Sequence, residues 1–202
     1  MTSDLLYRMF DQNTSQEEII WELNHMGPEG WDTLQDACLH QGVKPLVYSK
    51  LKTIFEQTVI PAAIRNNLHD AYLNTAVKNT LILHHAAPIL RDLKTNNIDV
   101  IGLKGIYLVE NIYDNIAARP FGDVDIMVSK EALQKTIGVL QKLGYAMTTY
   151  FEVADENLDI KHVPPMFNDD GLPVEIHWTI LEEDEPFTID AQGLWDRAVP
   201  AN

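Results

Sequence analysis

The sequence predicts an α+β chain: a helical subdomain over residues 1–95, a mixed β-sheet flanked by helices over residues 96–182, and a short tail over residues 183–202. Three observations predict it. Apolar residues before residue 95 recur at three- and four-residue steps, the spacing of one helix face. After the turn signal Asn96-Asn97 the pattern becomes short apolar runs separated by helical stretches. Two of those runs, Asp123-Val124-Asp125-Ile126-Met127-Val128 and Val174-Glu175-Ile176-His177-Trp178, carry acids in apolar surroundings.

In the first part, Ser15-Gln16-Glu17-Glu18 has the capping-box pattern and opens a helix containing Ile19, Ile20 and Leu23. Gly27-Pro28-Glu29-Gly30 is expected to close it. Further helices are expected over residues 31–40 and 45–55, and Pro61 sits in the first turn of a long one. Its stripe is Ile64, Leu68, Ala71, Thr75, Ile82, Ile89 and Leu93, with Lys78 as the interruption and Pro88 predicting a kink or break. These helices offer a core and no evident chemistry.

In the second part, residues 98–103 have strand character, ended by Lys104-Gly105, and residues 106–113 a short helix. A loop with Arg119, Pro120, Phe121 and Gly122 leads to the strand that carries Asp123 and Asp125. Ser129 is a good N-cap for a helix with the stripe Leu133, Ile137, Leu140 and Leu143, stopped by Gly144. A strand is expected over residues 145–153. A polar excursion through Asp155, Lys161, His162, Pro164 and Pro165 follows, then the turn Asp169-Asp170-Gly171 and the Glu175 strand.

Composition narrows the function classes. The chain has 202 residues, 46% of them apolar, enough for one substantial domain or a small catalytic unit with an added subdomain. No apolar run approaches the roughly 20 residues of a spanning helix, and Met1-Thr2-Ser3-Asp4 lacks the start of a secretion signal. Cys38 is the single cysteine, which excludes an internal disulfide and leads us to expect a reduced, cytoplasmic setting. A net charge of −15 argues against nucleic acid as a partner, because sequence-independent binding needs Lys and Arg on many phosphates. A single nucleotide is not so constrained, since one metal and a few local cations can hold it.

On a strand, side chains two positions apart share a face, so Asp123 and Asp125 point the same way, roughly 6.5 Å apart along the chain. Like-charged carboxylates side by side are costly unless a cation or proton compensates them. The pattern therefore suits a divalent metal.

These residues resemble a family. A strand ending in a glycine turn, a helix, an Asp-x-Asp on the next strand and one more acid on a later strand is the layout of the nucleotidyltransferase superfamily, which has the fold of DNA polymerase β and of kanamycin-type antibiotic adenylyltransferases. More narrowly, Leu103-Lys104-Gly105, Arg119-Pro120, Asp123-Val124-Asp125-Ile126 and Val174-Glu175-Ile176-His177-Trp178 look like the bacterial group of uncharacterised nucleotidyltransferases, over about residues 98–180. The helical stretches 31–48 and 61–93 are similar to that group's N-terminal half. The resemblance implies Mg2+, two ions with Mn2+ as the alternative, and transfer of a nucleoside monophosphate from an NTP, foremost ATP, to a hydroxyl of a small molecule or protein. In-line displacement at the α-phosphate suits two metals about 3.5 to 4 Å apart. By the same resemblance Asp123 and Asp125 are shared ligands, and Glu175 binds the catalytic metal and draws the hydroxyl proton. Backbone N–H groups around Gly105 would face the β- and γ-phosphates at a helix start, with Lys104 and Arg119 as side-chain cations.

Lys104-Gly105 departs from the Gly-Ser or Gly-Gly pair usual in the wider superfamily, so the serine hydroxyl is absent. That admits a variant phosphate grip, or a nucleotide-binding or protein-interaction module of the same fold without catalysis. Three acids and a histidine also suit a metal-dependent phosphohydrolase. His177 shares the Glu175 face, either as a structural hydrogen-bonding residue or as a support beside metal or substrate. Adjacent His84 and His85 face different ways on a helix and are not expected to share a metal, and the cluster Glu182-Glu183-Asp184-Glu185 fits a solvated turn. Related proteins continue beyond the last strand, so a fragment is one expectation and a homodimer whose second copy completes the pocket is another.

Overall fold

Start and stop signals in the chain shape the helical half. The computed structural model describes residues 2–113, 115–148, 162–181 and 186–199. Among these are eight α-helices and five strands, an α+β architecture as expected. The helices are α1 (Thr2–Arg8), α2 (Gln16–Asn24), α3 (Pro28–His40), α4 (Lys44–Leu51), α5 (Ala62–Thr95), α6 (Lys104–Asn111), α7 (Leu133–Lys142) and α8 (Ala191–Arg197). The strands are β1 (Ile101–Gly102), β2 (Val124–Met127), β3 (Ala146–Met147), β4 (Met166–Phe167) and β5 (Pro173–His177).

The chain divides into two compact units, Met1–Thr80 with Val109–Pro120, and Leu81–Leu108 with Phe121–Asn202. In the first, Ser15 caps α2 with the reciprocal box: its hydroxyl accepts from Glu18 N at 3.2 Å, and Glu18 Oε2 accepts from Ser15 N at 3.2 Å. Gly27 is the N-cap of α3 and Pro28 its first residue. The tetrapeptide expected to close α2 therefore opens the next helix, since proline's fixed φ and missing N–H suit a first turn. Gly42, at φ +65, ends α3, with Val43 N donating to Cys38 O at 3.0 Å. Leu5, Leu23, Trp31, Leu34, Val47 and Leu51 form part of this unit's core. The interior polar position of α5 here is Asn79, fully buried, rather than Lys78, which is exposed. Its amide donates to Ile116 O and Arg119 O at 2.5 and 2.7 Å, pinning the loop after α6.

The second unit holds the sheet, in the order β1-β2-β5-β4-β3. β2 and β5 are parallel; the β1–β2, β5–β4 and β4–β3 pairs are antiparallel. Val124, Ile126, Val174 and Ile176 join Ile89 and Leu93 of α5 and Leu133, Ile137 and Leu140 of α7 in one core. Pro88 stands inside α5 without ending it, because Ile82, Ala86, Ile89 and Leu93 around it are held in that core and offset the lost hydrogen bond. β1 is shorter than residues 98–103. Asn97, at φ +54, terminates α5, and Ile98 N closes the helix on Leu93 O at 3.0 Å, so Ile98 is committed to the cap.

Ser129 caps a single 3-10 turn that leads into α7, accepting from Ala132 N at 3.3 Å, and Gly144, at φ +85, stops α7. Of the strand expected over residues 145–153, β3 is present and residues 149–161 lie outside the described ones, as does the acidic cluster 182–185. β4 was not foreseen: it is two residues long and directly follows Pro164-Pro165, so alternation cannot reveal it. Also unforeseen was α8, capped by Asp190, whose carboxylate accepts from Gly193 N at 2.9 Å. No helix among the described residues is long and apolar enough to cross a membrane.

Candidate functional site

β2 and β5 set the site by their register. Asp125 pairs with Glu175, and Met127 with His177, so residues fifty positions apart stand side by side on one face. Glu175 thus lies on the same side of the sheet as Asp125. The chain then brings in a cation: Leu103 N donates to Asp125 O at 3.0 Å, continuing the β1 pairing, and Lys104 follows at the first position of α6. Lys104 has φ +44, in the left-handed region that non-glycine residues seldom occupy.

Distances are short throughout. Lys104 Nζ is 2.5 Å from Asp125 Oδ1 and 3.5 Å from Glu175 Oε2. His177 Nε2 is 3.0 Å from Asp125 Oδ1 and 3.4 Å from Glu175 Oε2. Side-chain exposure grades from 0% for Asp125 and 3% for His177 to 20% for Glu175 and 54% for Lys104, so the cluster opens toward solvent along the lysine. Asp125 Oδ2 and His177 Nδ1 are buried with no hydrogen-bond partner among the described residues.

Burial alone would raise the Asp125 pKa, but the hydrogen bonds from His177 and Lys104 outweigh it and hold the carboxyl below the usual carboxylate range. An ionised Asp125 only accepts, so His177 Nε2 carries the proton between them. The Lys104 pKa lies above its usual value: burial opposes this, and the hydrogen bond and charge of Asp125, with Glu175 behind, overcome it. Asp123 shifts the other way. Burial first, then the charges of Asp125 and Glu175, raise its pKa, so it feels the same field.

The residues expected to act together divide accordingly. Lys104 and His177 each contact both Asp125 and Glu175. Asp123 is a half-buried bend residue just before β2, outside the group of ligand atoms that lie within 4.8 Å of one another; that group is Asp125, Glu175 and His177. A built Cβ on Gly105 would lie 2.5 Å from Phe121 Cβ, so the glycine is required by packing, whatever else its N–H does. Arg119 belongs to the first unit, where its guanidinium lies 5.9 Å from the centre of the Tyr113 ring and its Nε is buried with no hydrogen-bond partner among the described residues. His162 forms a bridge to His177, their ring centres 5.0 Å apart, a neighbour that its place in a polar excursion does not reveal. His85 approaches Asp170 at 3.4 Å and is outside the ligand group found among the described residues.

Two carboxylates beside an imidazole, with one carboxylate oxygen buried and unpartnered among the described residues, form a donor set that fits a divalent cation. A family model described as uncharacterised nucleotidyltransferase matches residues 27–202. The chain belongs to this family. Comparison with curated proteins and with solved structures found no match. Family membership and the sheet together support a general nucleotidyl transfer chemistry with a nucleotide as substrate.

Proposed function

We propose that this nucleotidyltransferase moves a nucleoside monophosphate from an NTP, with ATP as the donor, to a hydroxyl of a small molecule or protein side chain, releasing pyrophosphate. The observation that carries the proposal is the pairing of buried Asp125 with part-exposed Glu175 across β2 and β5, beside Lys104 at the start of α6. Asp125 and Glu175, with Asp123 at their flank, are the residues that would hold Mg2+ or Mn2+, and His177 supports Asp125. A bound divalent ion supplies charge neutralisation at the phosphates.

The protein's own groups do the rest. His177 donates to Asp125 Oδ1, which keeps that carboxylate oriented and ionised. Glu175, the more exposed of the two paired carboxylates, takes the proton from the acceptor hydroxyl as its oxygen bonds to the α-phosphorus. The bond from that phosphorus to the bridging oxygen breaks, and pyrophosphate leaves with the electron pair. The ammonium of Lys104 balances charge on the phosphate chain. The role of Arg119 as a second cation is carried by the sequence pattern alone.

Incubation with α-labelled ATP and candidate hydroxyl acceptors tests this. The expected result is pyrophosphate release and a labelled acceptor, lowered about 10²- to 10⁴-fold in Glu175→Gln, the range for loss of a general base. Inorganic phosphate in place of pyrophosphate would instead identify a phosphohydrolase. The Lys104–Asp125 ion pair also favours a second reading, a nucleotide-binding module without catalysis, and ATP binding with no pyrophosphate release would select it.

A further inference from the structure

The carboxylate pair already has a cation in it. Lys104 Nζ lies 2.5 Å from Asp125 Oδ1 and 3.5 Å from Glu175 Oε2, between the two acids that would ligate a metal. We propose that Lys104 and a divalent cation alternate at this position: the lysine is the resident counter-ion of the metal-free protein, and the entering cation displaces it and frees its ammonium for the polyphosphate. This rests on reading Asp125 and Glu175 as cation ligands.

Four features support the exchange. Two carboxylates beside one ammonium leave a net negative charge, and Asp125 Oδ2 is buried without a partner among the described residues, so the site has unused capacity for positive charge. An ammonium and a divalent ion cannot both sit between the same two carboxylates, because like charges repel strongly at such separations. Lys104 is more than half exposed, so its departure uncovers little apolar surface. Its backbone stands at φ +44, where glycine is the natural occupant, so a lysine there is retained against a conformational cost that its ion pair offsets.

Mn2+ binding to the nucleotide-free protein, followed by electron paramagnetic resonance and calorimetry, tests the exchange. Lys104→Gly relaxes the backbone and Lys104→Met keeps the stem; both remove the charge, and Lys104→Arg keeps it. Gly and Met variants are expected to bind Mn2+ at least ten-fold more tightly than wild type, with the Arg variant near wild type. Without metal, Lys104→Met should also melt below wild type and recover the difference when Mn2+ is added. Equal or weaker affinity in the charge-free variants, with binding that Asp125→Asn abolishes, overturns the exchange and leaves the nucleotidyl-transfer proposal standing. No binding to any variant, or binding indifferent to Asp125→Asn, overturns both the exchange and the metal reading beneath it.

Discussion

Asp125 is a fully buried carboxylate whose ionisation depends on two neighbours, His177 and Lys104. Its folded pKa is depressed below the unfolded value near 3.9, so it contributes stability at higher pH and loses that contribution as pH falls below about 4 toward the folded value. Lys104 has the opposite sign. Its raised folded pKa adds stability that is complete below the unfolded value near 10.4 and is lost as pH rises through the folded one. Urea midpoints across pH should therefore fall at both extremes in wild type, and Lys104→Met should flatten the alkaline limb. An unchanged alkaline limb in that variant would mean the ion pair adds no stability. Cys38 is chemically quiet by comparison, since burial pushes its thiol up to about 11 and leaves little thiolate near neutrality.

Among the elements, the turn from β1 into α6 places the lysine. Leu103 is hydrogen-bonded to Asp125, Lys104 takes the left-handed conformation, and Gly105 leaves room for the Phe121 ring. Gly105→Ala would drive a methyl into Phe121, at a cost of about 1–3 kcal/mol for an overpacked site. Thermal unfolding should show that loss, and Gly105→Ala combined with Phe121→Gly, which removes the Cβ together with the ring, should recover part of it. If the double variant is no better than the single one, the tight contact is not what requires glycine. The cap signals are local and were legible: Ser15 with Glu18, Gly144 and the Asn96-Asn97 pair act within a few residues of themselves. β4 was not, because two residues after Pro164-Pro165 pair only once β5 is in place beside them. Asn79 was passed over for Lys78 because its partners, the carbonyls of Ile116 and Arg119, are nearly forty residues away.

For the whole molecule, charge is the controlling property. With 30 acidic and 15 basic residues, the net −15 repels a polyanion over its length but leaves a single cation-bound nucleotide within reach. Fluorescence anisotropy at physiological salt should give no binding of a labelled single-stranded oligonucleotide, DNA or RNA, while Mg2+-ATP binds. Oligonucleotide binding that falls steeply with added salt would show a cationic track that the composition does not suggest.

Composition, the capping signals of Ser15 and Gly144 and the two acidic runs were determined by the sequence itself, because capping and the presence of carboxylates among apolar neighbours are local properties. The tertiary structure decided which acids meet. Parallel pairing of β2 with β5 put Glu175 and His177 against Asp125, while Asp123, equivalent to Asp125 by spacing, fell on a bend before the strand. The left-handed turn then placed Lys104 between the two paired carboxylates. Strand register and the path of a turn depend on contacts between residues distant in the chain, and no pattern confined to neighbouring residues encodes them.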